Sequence, residues 1–420
     1  MNKKKYDMNG YTLYHIKNKK FKNIIIGAYF LKPVDVSKIV ESALLARMMS
    51  KFNKKYPSEL LFSKYLESNY GMALNISNNK EGLVNKFNIS VKYINDSFLK
   101  EDVNLTSIAI DTLITTIKDP LFDKDLFNLE KELLIDDIER AYDNKNKYAS
   151  IRFVEEMYKD EAYSHTLTSS LKNAREVTLD SVIAEYQTLL KSKKVFYVIG
   201  DLDEKDVINL FKNITFDEET KLKLEFKDLE TKEIIKVNEV IEKANYKQSI
   251  VYMGYRCEIR VDDELYPAMF VLDYMLGGYF NSTLIEEIRE KRSLAYSVYS
   301  SYYSNKGSFI ITGGISSSEY EEFKKVSISI INDYKKGIIN DENFTNAKKI
   351  LVNAQYRAAD EMNYGMAEII KEISGGIMRT TEEKVDIIKN VTKEEIIKAA
   401  NMLKLDTIYM LEGSCEDFGK

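Results

Sequence analysis

Residues 276–316 read LGGYFNSTLIEEIREKRSLAYSVYSSYYSNKGSFIITGGIS, and this stretch decides the fold. It reads as a helix carrying Arg289, followed by a tyrosine-rich hairpin that opens at Tyr296. The same order occurs earlier in the chain, where 58–69 reads as a helix and NYGMALNISNNKEGLVNKFNISV as a hairpin. Gly71 to Gly82 and Tyr296 to Gly307 are both eleven residues apart, which sets the two hairpins at a common offset.

Working outward, the whole chain repeats. NIIIGAYFLKP reads as a buried strand ahead of a helix over 35–52; SIVYMGYRCEI and LYPAMFVLDYML are the matching strand and helix of the second half. Farther on, DPLFDKDLFNLEKELLIDDIERAYDNK matches KGIINDENFTNAKKILVNAQYRAADEM, with Phe127 to Asp143 and Phe344 to Asp360 both sixteen residues apart. Each half ends on a strand signal, KVFYVIGDL and TIYMLEGSC. The pattern predicts an α+β protein of two homologous domains, 1–230 and 231–420. The charge-dense, glycine-free stretch TFDEETKLKLEFKDLETKEIIKVNEVIEKANYK is the expected connector.

Composition narrows the classes. The chain has 420 residues, 44% hydrophobic and 30% charged, with net charge −5 and both signs interspersed, so no field selects nucleic acid or an anionic membrane. The start, MNKKKYDMNGYTLYHIKNKKF, lacks the apolar core of a signal peptide, and IIIGAYFL is too short to span a bilayer. Two cysteines, Cys257 and Cys415, make no disulfide framework. A soluble, cytoplasmic protein is expected.

The two-fold repeat, the LGG turn and REKRSLAY resemble the M16 (pitrilysin-like) metallopeptidases, which include mitochondrial processing peptidase and insulin-degrading enzyme. The resemblance implies two LuxS/MPP-like domains, each a mainly antiparallel sheet covered by helices, together forming a bowl. Two bowls close around a peptide: the N-terminal domain of one carries zinc, and the C-terminal domain of the other supplies an arginine and, seven residues on, a tyrosine. Arg289 and Tyr296 match that spacing and context. A tyrosine hydroxyl can donate to the oxyanion formed when a carbonyl is attacked, and arginine offers a permanent planar fork for substrate carbonyls. Without this context, Arg289 would be read as a solvated residue pairing with Glu286 or Glu290, and Tyr296 as a core aromatic.

Active members carry H-x-x-E-H on the first long helix, where histidines four apart share one face and clasp zinc. This chain has two histidines in all, His15 and His165, and neither lies there. The helix reads VDVSKIVESALLARMMSKF, so the motif falls on Ala43, Ala46 and Arg47 or, one residue later, on Leu44, Arg47 and Met48. Asp137 takes the approximate place of the third ligand, with Glu130 one helix face earlier. No metal site is expected in this chain.

SALLARMM…KKYP…LESNYGMAL is most similar to the bacterial YfmF-type members, which lack the zinc motif and are associated by name with the 5-aminopentanol modification of elongation factor P. The resemblance implies a non-catalytic subunit that works in trans with a zinc-bearing, H-x-x-E-H-containing M16 paralogue on unfolded peptide; a homodimer is open to the isolated chain. The alternative is a peptide-binding scaffold with no part in proteolysis. A third reading, a metalloenzyme using Glu130 and Asp137, ranks last, because carboxylates without histidine hold zinc poorly.

Overall fold

The computed structural model describes residues 2–217, 223–228, 232–375 and 379–413. Cys415 and the last two residues of TIYMLEGSC lie outside them. The chain forms two compact units, each drawn from three stretches. The first holds Met1–Glu139, Thr166–Phe226 and Ala359–Met378; the second holds Arg140–His165, Lys227–Ala358 and Arg379–Lys420.

The sheet of the first unit contains β1 (Asn2–Met8), β2 (Tyr11–Lys17), β3 (Asn23–Pro33), β4 (Ala73–Glu81), β5 (Val84–Ile94) and β6 (Lys193–Gly200), in the order β1-β2-β6-β3-β5-β4. Every pairing is antiparallel except β2 with β6. Strict alternation in β5 sends Phe87, Ile89, Val91 and Tyr93 to one face, where all four are buried. The helices Ile39–Met49, Leu105–Lys118 and Leu179–Leu190 cover that face. On the other face, Ile369 and Ile370 of the helix Asn363–Gly375 pack on Tyr14, Ile16, Ile25, Tyr29, Tyr197 and Ile199. Gly27 makes room for the Tyr197 ring: a Cβ there would lie 2.4 Å from its hydroxyl.

The sheet of the second unit contains β7 (Asn238–Ala244), β8 (Ser249–Arg256), β9 (Ala295–Tyr303), β10 (Ser308–Ile315) and β11 (Lys404–Gly413), in the order β7-β11-β8-β10-β9. Only β7 with β11 is parallel. One face carries the main core with the helices Tyr266–Asp273, Tyr320–Lys335 and Lys393–Asn401. On the other, the helix Lys145–Met157 sets Phe153 and Met157 against Ile250, Tyr409 and Leu411. Gly254 permits that approach, since a Cβ would stand 2.4 Å from the Met157 sulfur.

The same helix leads into a buried ionic group. Arg256 reaches Glu161 at 2.5 Å and Asp406 at 2.7 Å, and Lys306, itself bonded to Glu161, lies 2.5 Å from Asp228. All five residues are buried, so each charge needs the others to offset its lost hydration.

The predicted α+β architecture with two sheets is present. Two stretches group differently from a contiguous division near 230: 140–165 goes with the second sheet and 359–378 with the first, because each helix buries its apolar face there. The expected connector also ends as a strand. NEVIEKA is β7, a sheet edge whose alternating half-buried and exposed residues give it the charge density of a linker.

Candidate functional site

The helix Ile39–Met49 directs Leu44 and Met48 into the core and leaves Ala43 and Arg47 partly accessible. Arg47 turns toward the helix Lys124–Asp143. Its Nη2 lies 2.5 Å from Asp137 Oδ2, and its Nη1 lies 3.8 Å from Glu130 Oε2. Lys51 Nζ, one turn further, stands 3.5 Å from Glu130 Oε1 and 3.3 Å from Glu59. Arg47, which both alignments share, is the residue that meets Asp137 and Glu130.

These residues do not fit zinc. Alanine supplies no ligand, and a guanidinium repels a dication from the space beside the carboxylates. Glu130 is paired with Lys51 and Asp137 with Arg47. No group of three or more His, Cys, Asp or Glu residues that could hold a metal occurs among the described residues. His15 lies in β2, buried, with burial pulling its pKa down.

In the second unit, the expected helix 281–293 is not a regular α-helix. Residues Ile285–Glu290 form a wide turn, with Lys291 N–H bonding the Glu286 carbonyl five residues back. Leu284 and Ile288 anchor it in the core. Ser293 ends it in the left-handed region, φ 54°, donating to the Arg289 carbonyl. Lys291 and Arg292 both pair with Glu287, whereas Arg289 meets only Glu290, at 3.5 Å, among the ion pairs described. The Arg289 side chain stays 44% exposed.

Tyr296 occupies a β-bulge. Gly314 pairs with Ser297 and Ile315 with Ala295, so Tyr296 has no partner across the ladder. It is 71% exposed and is not the core aromatic that the strand pattern alone would suggest. The strand behind it is clamped. Ser300 donates to Asp273 Oδ1 at 2.6 Å, and Tyr302 N–H donates to Oδ2 at 3.3 Å. The LGG turn closes onto the same strand, because a Cβ on Gly277 would meet the Ser300 nitrogen at 2.3 Å. Burial pushes the Asp273 carboxyl up to about 6, against the pull of these two hydrogen bonds. Sequence reasoning missed Asp273; its only signal is its place just ahead of the glycine pair.

A family model described as "Peptidase M16 inactive domain" matches residues 176–351, the span that carries Arg289, the bulge and Tyr296. The chain is similar to the peptidase M16 family. The "Probable inactive metalloprotease YmfF" of Bacillus subtilis is 27% identical over 99% of this chain and 98% of its own length. Among solved structures, a conserved protein from Enterococcus faecalis V583 superimposes with a TM-score of 0.93 at 26% identity, covering 99% of this chain and 100% of the other. A Pseudomonas fluorescens peptidase M16 inactive domain gives 0.83 at 18% identity over 99% of both chains, a likeness of fold. This chain thus has both sheets of that fold, with Arg47 on the helix Ile39–Met49.

Proposed function

We propose that this chain is the non-catalytic subunit of a heterodimeric M16 zinc peptidase and supplies Arg289 and Tyr296 in trans. The partner would be a cytoplasmic M16 paralogue containing H-x-x-E-H, and the substrate an unfolded peptide. A link to elongation factor P modification belongs to the same proposal. The observation that carries it is the bulge: Tyr296 stands out of the ladder with its ring exposed, on an edge strand held from behind by Asp273. From there its hydroxyl can donate to a carbonyl oxygen that gains charge. Arg289, lightly paired, can hold main-chain carbonyls of an extended substrate. Zinc in the partner would activate the attacking water; this chain would bind, orient and stabilise.

The test is peptide cleavage by each subunit and by their mixture. The mixture should cut where neither subunit does. Tyr296→Phe should lower its kcat by about 10²–10³-fold, the usual cost of losing one oxyanion donor. Arg289→Ala should act mainly on KM. An inert mixture, or variants that cleave like wild type, would favour instead a peptide-binding scaffold.

A further inference from the structure

The sheet face of the first unit that carries the helix Asn363–Gly375 is only partly covered. That helix lies over β2, β6 and β3. Beyond it, β5 and β4 carry the same face on, exposed at Asn75, Asn79 and Lys92 and buried at Asn88 and Ser90, and register fixes what stands there. Ala73 pairs with Lys92, Asn75 with Ser90, Ser77 with Asn88, and Asn79 with Lys86. The result is a ladder of amides and hydroxyls between two lysines, walled by Asn363, Met366 and Ile370, around a cavity of about 480 Å³.

The chemistry of this groove is specific. No aspartate or glutamate lines it, although the chain has 66 acidic residues and a net charge of −5. Lys92 is exposed at one end and has no ion pair among those described; Lys86 at the other is held 2.9 Å from Glu81. Asn88 is 5% exposed, and its Oδ1 accepts a hydrogen bond from the Tyr197 hydroxyl at 2.7 Å. Its remaining polar group is therefore an N–H donor. Asn75, Ser77 and Asn79 offer donors and acceptors that do not ionise, which suits the alternating N–H and C=O groups of a main chain. Lys86 and Lys92 lie six residues apart along β5, roughly 20 Å of extended chain at about 3.3 Å per residue.

We propose that this groove binds an acidic peptide segment in extended form, its main chain on the asparagine–serine floor and its carboxylates on Lys92 and Lys86. The site belongs to the first unit and shares no residue with Arg289 and Tyr296, so it stands or falls independently of the trans-subunit reading.

The probe is a labelled hexapeptide alternating aspartate and serine, compared with its lysine–serine counterpart by fluorescence anisotropy on the full chain. The acidic peptide should bind, weaken as salt rises, and outcompete the basic one. Lys92→Glu should weaken it about tenfold, as expected for reversing one accessible charge. Asn79→Lys, at an exposed position, should tighten it several-fold. Both variants should keep the wild-type melting temperature, so that loss of binding is not loss of fold. Equal binding of both peptides, or indifference to Lys92→Glu, would overturn the proposal. So would displacement of the peptide by millimolar inorganic phosphate, which marks a simple anion site. A dimer of this chain that Lys92→Glu dissociates would also overturn it, since a second copy would then be the occupant.

Discussion

Arg47 and Asp137 meet at 2.5 Å between the helices Ile39–Met49 and Lys124–Asp143. The contact is a single monovalent pair. It ties the helix Ile39–Met49 to the helix Lys124–Asp143 and sets a guanidinium beside the carboxylate. Glu130, 3% exposed, would be costly as an isolated anion, and Lys51 with Arg47 offsets that cost. Purified chain dialysed without chelator should therefore hold no stoichiometric zinc by elemental analysis. The variant carrying Ala43→His, Ala46→Glu and Arg47→His should retain about one equivalent, with Asp137 freed as the third ligand.

The buried ionic group of the second unit predicts a large truncation effect. Glu161→Ala leaves Asp228 as the carboxylate paired with Lys306 and Asp406 as the one paired with Arg256, in a region where all are buried. Urea denaturation should register a loss of roughly 3–5 kcal/mol. Combining Glu161→Ala with Lys306→Met should cost less than the sum of the single changes, because the two residues share one hydrogen bond.

Stability should respond to pH in two opposite ways. Asp273 has its folded pKa raised to about 6 by burial, so the folded chain holds this proton more tightly than the unfolded one. Its contribution is complete below the ordinary carboxyl value of about 4 and is lost as pH rises through about 6. His15 is the reverse case. Burial lowers its pKa against the pull of Glu204 and the Leu202 backbone, with Lys17 and Lys4 adding to the lowering, and its Nε2 has no hydrogen-bond partner among the described residues. Its contribution is complete above about pH 6.5 and is lost as pH falls below that. Measured in urea from pH 4 to 8, Asp273→Asn should gain on wild type as pH rises, by about 2–3 kcal/mol across the range. His15→Gln should gain on wild type as pH falls.

Three glycines with positive φ should separate backbone strain from crowding. Gly71, at φ 66°, has nothing within 4 Å of an added Cβ, so Gly71→Ala should cost about 1 kcal/mol. Gly82, at φ 59°, would set a Cβ 1.8 Å from the Phe226 carbonyl oxygen. Gly307, at φ 68°, would meet the Arg260 guanidinium and, at 2.4 Å, the Cys257 carbonyl oxygen. The last two should each cost about 3 kcal/mol or more in thermal or urea unfolding.

Much of the fold was legible because it rests on local pattern. Equal spacing between Gly71 and Gly82 and between Tyr296 and Gly307 marked both hairpins, and β4–β5 and β9–β10 follow it. The contact of Arg47 with Asp137 was not legible, since a residue 90 positions away is named by packing and not by sequence. Nor was the bulge at Tyr296, whose extra residue depends on how β9 is matched against Gly314 and Ile315. The polar ladder could have been read. Every second residue from Asn75 to Asn79 and from Lys86 to Lys92 is polar, between residues that are apolar in β5, a signal hidden only because both faces of a sheet were not considered together.

The bulge has one more consequence. Because an unmatched position, and not the tyrosine itself, sets the outward direction at 296, any side chain substituted there inherits the same aim. A cysteine bearing a small fluorophore at that point would be held away from the sheet without disturbing the ladder. It would act as a fixed beacon for whatever docks against this edge.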